Sequence, residues 1–489
     1  MGADLLLPRN EEGAWMSTTI FIVILYFLVL LILGVIASRK TSSVAEFFVA
    51  DKSLGFWVSA FSSRATGESG WLLLGLTGMG WAVGVNAFWV LLGQVMGETL
   101  SWIYVARPFK RLTDKYQSIT IPDFLESHFN DTRHILRWIS TVVIITMVTA
   151  YLAAQFTATG KAFNAFLDLD FKTGAMLGVA IVLFYTMIGG FRAVAWSDMF
   201  QGAMMLLGLI VVPIVAVIAT GGVSGLVGSL TDTNPGMLKA MGVNGWSMAG
   251  LLTVLGFVGP GFGYLGSPQL YSRFIAVSHE RKLIPGAVVA VLFTIITSGG
   301  AIIAGMAGRV LYPVLEDQEA IFPLLSNDLF GPIMSGVLIA VVLAAVMSTA
   351  DSLLILAVSS VVRDVYQRIF RPEASQKRVV MLSRILTLVL ALVALGFALL
   401  EVRLIFWFVL FAWAGISSAF CPVIVLSIFW KRLTLKGAAA GMVTGFVTAI
   451  VWKITLGHVL YEMIPALLLA TSAAIVVSLL DSTPEGETS

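Results

Sequence analysis

The segment Ala345-Val-Met-Ser-Thr-Ala-Asp-Ser352 sets two adjacent hydroxyls, a carboxylate and a third hydroxyl inside an otherwise apolar run. An isolated Ser or Thr in a helix commonly bonds the carbonyl of its own preceding turn. A Ser-Thr pair with Asp351 two residues on is different, because a buried carboxylate needs a counter-charge. Hydroxyl, carboxylate and carbonyl oxygens together suit an alkali cation. Two other charged features stand in apolar surroundings. Arg64 and Glu68 are one turn apart and can neutralise each other if that stretch is helical. Asp198, in Trp196-Ser-Asp198, has a helix N-cap as its simple alternative reading.

Other chemistries find no residues. Four scattered histidines and one cysteine, Cys421, show no metal-ligand spacing and no disulfide framework. No Walker loop points to nucleotide hydrolysis, and no clustered nucleophile and base point to an enzyme. Neither an organic cofactor nor a nucleic-acid partner is expected.

The elements that must hold these residues are membrane helices. Of 489 residues 58% are hydrophobic and 12% charged, against about 25% charged in a soluble domain. The apolar runs are too long, and alternate too little, for a transmembrane barrel. The fold class is all-α and polytopic. A bilayer core takes roughly 20 helical residues, which gives thirteen spans: 17–37, 54–83, 86–106, 137–165, 173–190, 196–219, 246–266, 284–310, 332–361, 379–400, 404–430, 436–456 and 461–480. The first run is followed by Ser38-Arg39-Lys40 rather than a cleavage site, so it is expected to stay as a span.

Alternate loops differ in charge. One set, from Arg39 and Lys40 through Lys110 and Arg137 to Lys436, holds 22 of the 30 basic residues. The positive-inside rule then puts the N-terminus outside and the tail Asp481–Ser489 inside. The longest inner loop, Arg107–Trp138, reads as partly helical on the membrane surface, its charges a topology signal and a solvated face.

Backbone-breaking sequence recurs at mid-depth. Phe61-Ser-Ser-Arg-Ala-Thr-Gly-Glu-Ser-Gly-Trp71 interrupts the second span and Gly256-Phe-Val-Gly-Pro-Gly-Phe-Gly-Tyr-Leu-Gly-Ser-Pro268 the seventh. Each opens a five-helix set, and an odd number inverts the second set relative to the first. Interrupted helices at matching positions of an inverted repeat point to a transporter's binding site. The expected division is 1–53, a first repeat 54–219, a second repeat 246–430, and two last helices within 431–489.

At these residues the sequence resembles the solute:sodium symporter family, nearest its sodium/proline branch, over nearly the whole chain. The resemblance rests on Asp51-Lys-Ser-Leu-Gly55, Ser69-Gly-Trp-Leu-Leu-Leu-Gly-Leu76, Tyr185-Thr-Met-Ile-Gly-Gly-Phe191 with Trp196-Ser-Asp198, Gly263-Tyr-Leu-Gly-Ser-Pro268 with Arg273-Phe274, and Ala344-Ala-Val-Met-Ser-Thr349. It implies a leucine-transporter-like five-plus-five inverted-repeat core in a bacterial-type plasma membrane.

It also implies sodium as the coupling ion, held by backbone carbonyls of Ala65, Glu68 and Ala345 with the hydroxyls of Ser348 and Thr349. A second cation site would use Asp198, Ser348, Asp351 and Ser352. The solute pocket would use Ser69, Gly70, Trp71, Tyr151, Tyr264 and Pro268, with Gln269 and Gln94 as further candidates. Two positions depart from the proline branch: Gly67 stands where it has an aspartate, and Pro260 where it has a pocket tryptophan.

The function expected is sodium-coupled symport of a small solute, proline or a related amino acid first. A monocarboxylate, a sugar or sialic acid are the other solutes. A proton-coupled carrier, a solute-binding membrane sensor and a channel are the alternatives of other kinds.

Overall fold

The computed structural model describes residues 9–38, 43–400 and 405–481. Arg39, Lys40 and the tail beyond Asp481, used above for orientation, lie outside the described residues. Helix α1 (Arg9–Ser38) is followed by α2 (Phe56–Gly67), a wide turn Trp71–Leu76, and α3 (Thr77–Val83). Next come α4 (Phe88–Thr99), α5 (Ala106–Lys115), α6 (Ile121–Phe129) and α7 (Ile135–Leu167). Helix α8 (Phe171–Ala219) and the short α9 (Gly222–Thr233) complete the first half.

The second half runs α10 (Met248–Val258), a 3-10 segment Gly259–Leu265, α11 (Pro268–Ala276), α12 (Leu283–Leu311) and α13 (Ile321–Leu329). It ends with α14 (Pro332–Val358), α15 (Gln376–Ala398), α16 (Ile405–Phe429), α17 (Leu435–Leu456) and α18 (Met463–Leu480). Among the described residues, eleven helical stretches are long and apolar enough to cross a membrane.

Sequence-based boundaries shift in two places for backbone reasons. Spans 173–190 and 196–219 lie in the continuous run α8, which is two helices meeting at Gly190, where φ is +58° and ψ −162°; a side chain there would be strained. Asp198 therefore sits inside a helix rather than at its start, and the N-cap reading is overturned. The seventh span runs past its expected end at 266, because α11 resumes at Pro268 and continues to Ala276. Proline at a helix's first turn loses no hydrogen bond.

Helix apolarity sorts the bundle. α14 is apolar all round apart from a few hydroxyls and Asp351 and packs against α1, α7 and α8, as a helix with so little polar surface must. Of its most apolar window 83% is buried, against 22% for α17. Peripheral α1, α15 and α17 turn Phe21, Ile24, Ile385, Leu392 and Val447 outward, an apolar exterior that suits lipid. The inner loop corrects its reading: Lys110 and Arg137 are buried, not solvated. Arg137 pairs with Asp123 at 2.9 Å, Glu126 at 2.6 Å and Asp364 at 2.8 Å, tying α6 and α7 to the extension of α14.

Candidate functional site

Both expected helix breaks are present. α2 stops at Gly67, and Glu68 leaves helical geometry at φ −108° and ψ 83°. Winding resumes at Trp71, whose indole N–H donates to the Gly67 carbonyl at 3.2 Å. On the other side the chain opens at Gly266 and Ser267, between Leu265 and Pro268. The breaks free backbone groups that protein must satisfy at this depth.

The hydroxyls of α14 face the first break. Ser348 donates to the Ala65 carbonyl at 2.9 Å and lies 3.2 Å from that of Ala345. Thr349 donates to the Thr66 carbonyl at 3.0 Å and also lies 3.2 Å from Ala345. Four of the five expected sodium ligands, Ala65, Ala345, Ser348 and Thr349, thus come together, with Thr66 an addition that sequence reasoning missed. Glu68 contributes the non-helical residue at the end of the same turn.

Below them lies a second polar set. Asp198 Oδ2 accepts from Ser62 at 2.6 Å and Arg273 at 2.9 Å, while its Oδ1 is buried and without a hydrogen-bond partner among the described residues. The same guanidinium donates to Thr66 at 2.8 Å and to Ser352, and Ser352 donates to Asp351 at 3.2 Å. Arg273 thus bridges Asp198 and Ser352. Ser348 takes part instead in the upper set.

A third cluster surrounds Arg64, which is fully buried. It pairs with Glu68 at 2.6 Å, as the spacing suggests, but also with Glu98 of α4 at 2.5 Å. It donates to the Tyr264 hydroxyl at 3.1 Å and lies over that ring, 5.0 Å from its centroid. Glu98 was not among the sequence candidates; an acid inside the apolar stretch 86–106 was the signal available. Gly97 lets α4 come this close: a Cβ there would stand 1.7 Å from the Gly261 carbonyl oxygen.

Between the breaks is a small cavity with about 260 Å³ of empty space, bounded by Trp71, Gln94, Tyr151, Tyr264, Pro260 and Trp413 among others. Only about 10 Å³ of it admits the centre of a water-sized sphere, room for about one water molecule. Gln94 Nε2 is buried without a hydrogen-bond partner among the described residues, while its Oε1 accepts from Ser298 at 3.1 Å. Trp413 packs edge-on against Tyr264, centroids 5.3 Å apart, and donates to the Pro260 carbonyl at 2.9 Å. Val409, Leu410 and Trp413 of α16 escaped sequence reasoning, since an apolar wall residue looks like any other core residue.

The remaining candidates sit apart. Ser69 lies 3.5 Å from the Tyr151 hydroxyl, and the Gly70 N–H donates to Gln155 at 3.2 Å. Pro268 borders a different cavity, of about 430 Å³, which runs from Ser352 to Thr120 and Asp364. Gln269 is buried, and among the described residues neither side-chain amide atom has a hydrogen-bond partner.

The chain is 37% identical over 461 residues to the high-affinity proline transporter PutP of Bacillus subtilis, covering 93% of this chain and 96% of that one. It is 33% identical over 471 residues to the sodium/proline symporter of Escherichia coli, covering 94% and 92%. A solved Na+-coupled sialic acid symporter shares the fold, with a TM-score of 0.83 over 95% of this chain and 98% of that one at 17% identity. The sodium:solute symporter family model matches residues 47–445, and the chain, with its two broken helices and the hydroxyls of α14 turned toward the first, belongs to that family.

Proposed function

We propose that this protein is a sodium-coupled secondary active symporter that imports proline or a closely related amino acid. The observation that carries the reading is the meeting of Ser348 and Thr349 with the carbonyls of Ala65, Thr66 and Ala345 at a helix end. Sodium entering from outside occupies this oxygen set. The solute occupies the cavity walled by Trp71, Tyr151, Tyr264 and Trp413, with the free Gln94 amide as a donor to its carboxylate. After inward rocking, the cation leaves past Asp198 and the solute through the larger cavity ending at Thr120 and Asp364.

The breaks at Gly84, where φ is +62°, and at Gly190 support counting Trp71–Lys115 and α8 as two crossings each. That gives thirteen spans, a five-plus-five inverted repeat over 54–219 and 246–430, an outer N-terminus and an inner C-terminus. Energetically one ion suffices: a tenfold sodium gradient is worth about 1.4 kcal/mol and 100 mV about 2.3 kcal/mol, enough for roughly 500-fold accumulation.

The test is radiolabelled proline uptake into proteoliposomes with and without an imposed sodium gradient, beside monocarboxylates, sugars and sialic acid. Sodium-driven uptake of proline is expected. Uptake that follows a pH gradient and ignores sodium sinks the coupling, and transport confined to another solute class sinks the substrate assignment.

A further inference from the structure

A broken helix leaves free ends of two kinds. The lower half, α2, ends in spare carbonyls, and Ser348 and Thr349 of α14 meet two of them. The upper half, from Gly70 into α3, begins with spare N–H groups, which lipid cannot satisfy at this depth. Ser69 serves two of these locally: its hydroxyl lies 3.4 Å from the Trp71 nitrogen, and its carbonyl accepts the Leu72 N–H at 2.9 Å. The Gly70 N–H is taken from another helix, by Gln155 of α7, which accepts it through Oε1 at 3.2 Å.

Gln155 is fully buried. Gly70 dictates its orientation, because the amide turned over would set its NH2 against another donor. The contact is kept although it leaves Nε2 buried and without a hydrogen-bond partner among the described residues, an arrangement that costs free energy. Gln155 stands one turn beyond Tyr151 on the same face of α7. Tyr151 borders the cavity proposed for the solute and lies 3.5 Å from the Ser69 hydroxyl. The approach of the three helices is close at this point: a Cβ on Gly70 would stand 2.9 Å from that of Ala158 and 3.2 Å from Val346 Cγ2. Directly after Gly70 comes Trp71, which borders the same cavity and packs edge-on against Phe406. We infer that Gln155 is a positioning residue for the solute: by holding the Gly70 N–H it fixes the first turn of the upper half-helix and, through it, Trp71 at the cavity wall. This rests on the transport reading above and adds to it a residue that acts through Trp71. The device is a neutral hydrogen bond, the N–H counterpart of the clasp that α14 places on the carbonyl end.

Uptake of radiolabelled proline into proteoliposomes is titrated twice, with proline at saturating sodium and with sodium at saturating proline. Gln155→Met keeps the length of the side chain and removes its oxygen. The proline concentration for half-maximal uptake is expected to rise about tenfold, and the sodium concentration to stay within about twofold of wild type. Gln155→Glu offers the Gly70 N–H an oxygen in either protonation state, and its proline value is expected to return to within about threefold of wild type. A side chain that only filled space would make Gln155→Met the harmless variant and gain nothing from Gln155→Glu.

A near-normal proline value in Gln155→Met overturns the inference. So does a sodium value that rises in step with the proline value, or a Gln155→Glu variant no better than Gln155→Met. If Gln155→Met does not reach the membrane, Gln155→Asn takes its place, with its amide one carbon further from Gly70. A rise of about tenfold in its proline value then supports the inference, and a near-normal value overturns it. Failure of the underlying reading looks different, because wild-type uptake would then ignore sodium or carry no proline.

Discussion

The Ser348 hydroxyl donates to the Ala65 carbonyl across 2.9 Å, joining α14 to the last turn of α2 although 283 positions separate them in the chain. Thr349 makes the equivalent link to Thr66. If sodium is held between these elements, each hydroxyl is a ligand whose removal weakens the ion and leaves folding largely intact. Ser348→Ala and Thr349→Ala are each expected to raise the sodium half-saturation of uptake about tenfold. Sodium titration of uptake in proteoliposomes checks this, and unchanged values in both variants remove the assignment.

Trp413 closes the cavity proposed for the solute against Tyr264 and anchors Pro260 through its indole N–H. Truncation to Ala opens the wall and should raise the solute concentration for half-maximal uptake about tenfold or more. Trp413→Phe, which keeps a ring, should lose less. Sodium half-saturation at fixed high solute should move little, which separates a pocket role from a sodium role.

Asp198 and Arg273 form a fully buried pair whose guanidinium also serves Ser352. Asp198→Asn leaves a buried cation without its partner and should cost about 3–5 kcal/mol of stability. Combining it with Arg273→Gln should recover most of that loss, read as the thermal midpoint of the detergent-solubilised protein. Uptake should stay impaired in the double variant if Asp198 lies on the cation's exit path, so stability and transport separate.

Asp123, on α6 outside the spans, shows a pH-linked contribution. Burial pushes its carboxyl up, but Arg363, Arg137 and Arg368 outweigh burial and hold it below the ordinary carboxylate value. A depressed value in the folded state means stability that is complete above the unfolded value of about 3.9 and is lost as pH falls through the folded one. Asp123→Asn should therefore lower the thermal midpoint at neutral pH. The difference from wild type should shrink on strong acidification, and a constant gap across pH would contradict the ion-pair account.

Much of this protein is legible in one dimension. Uninterrupted apolar runs predict membrane helices, because lipid cannot satisfy a free peptide group; the Gly- and Pro-rich stretches at 61–71 and 256–268 locate the two breaks for the same reason. The hydroxyls at 348 and 349 stand out because polar side chains are expensive in such a helix. These are local properties, and local sequence suffices for them.

What needed the tertiary structure is everything that depends on two distant segments meeting. Gly97 against Gly261 brings Glu98 to Arg64, and nothing near position 98 announces that partner. Trp413 becomes a cavity wall, Pro268 moves to the other cavity, and Arg273 turns into the counter-charge of Asp198. Asp198 ceases to be a helix cap because the second helix of α8 already starts after the break at Gly190, ahead of position 198. Pairing of charges and the shape of a cavity are sums over neighbours in space, and packing chooses those neighbours.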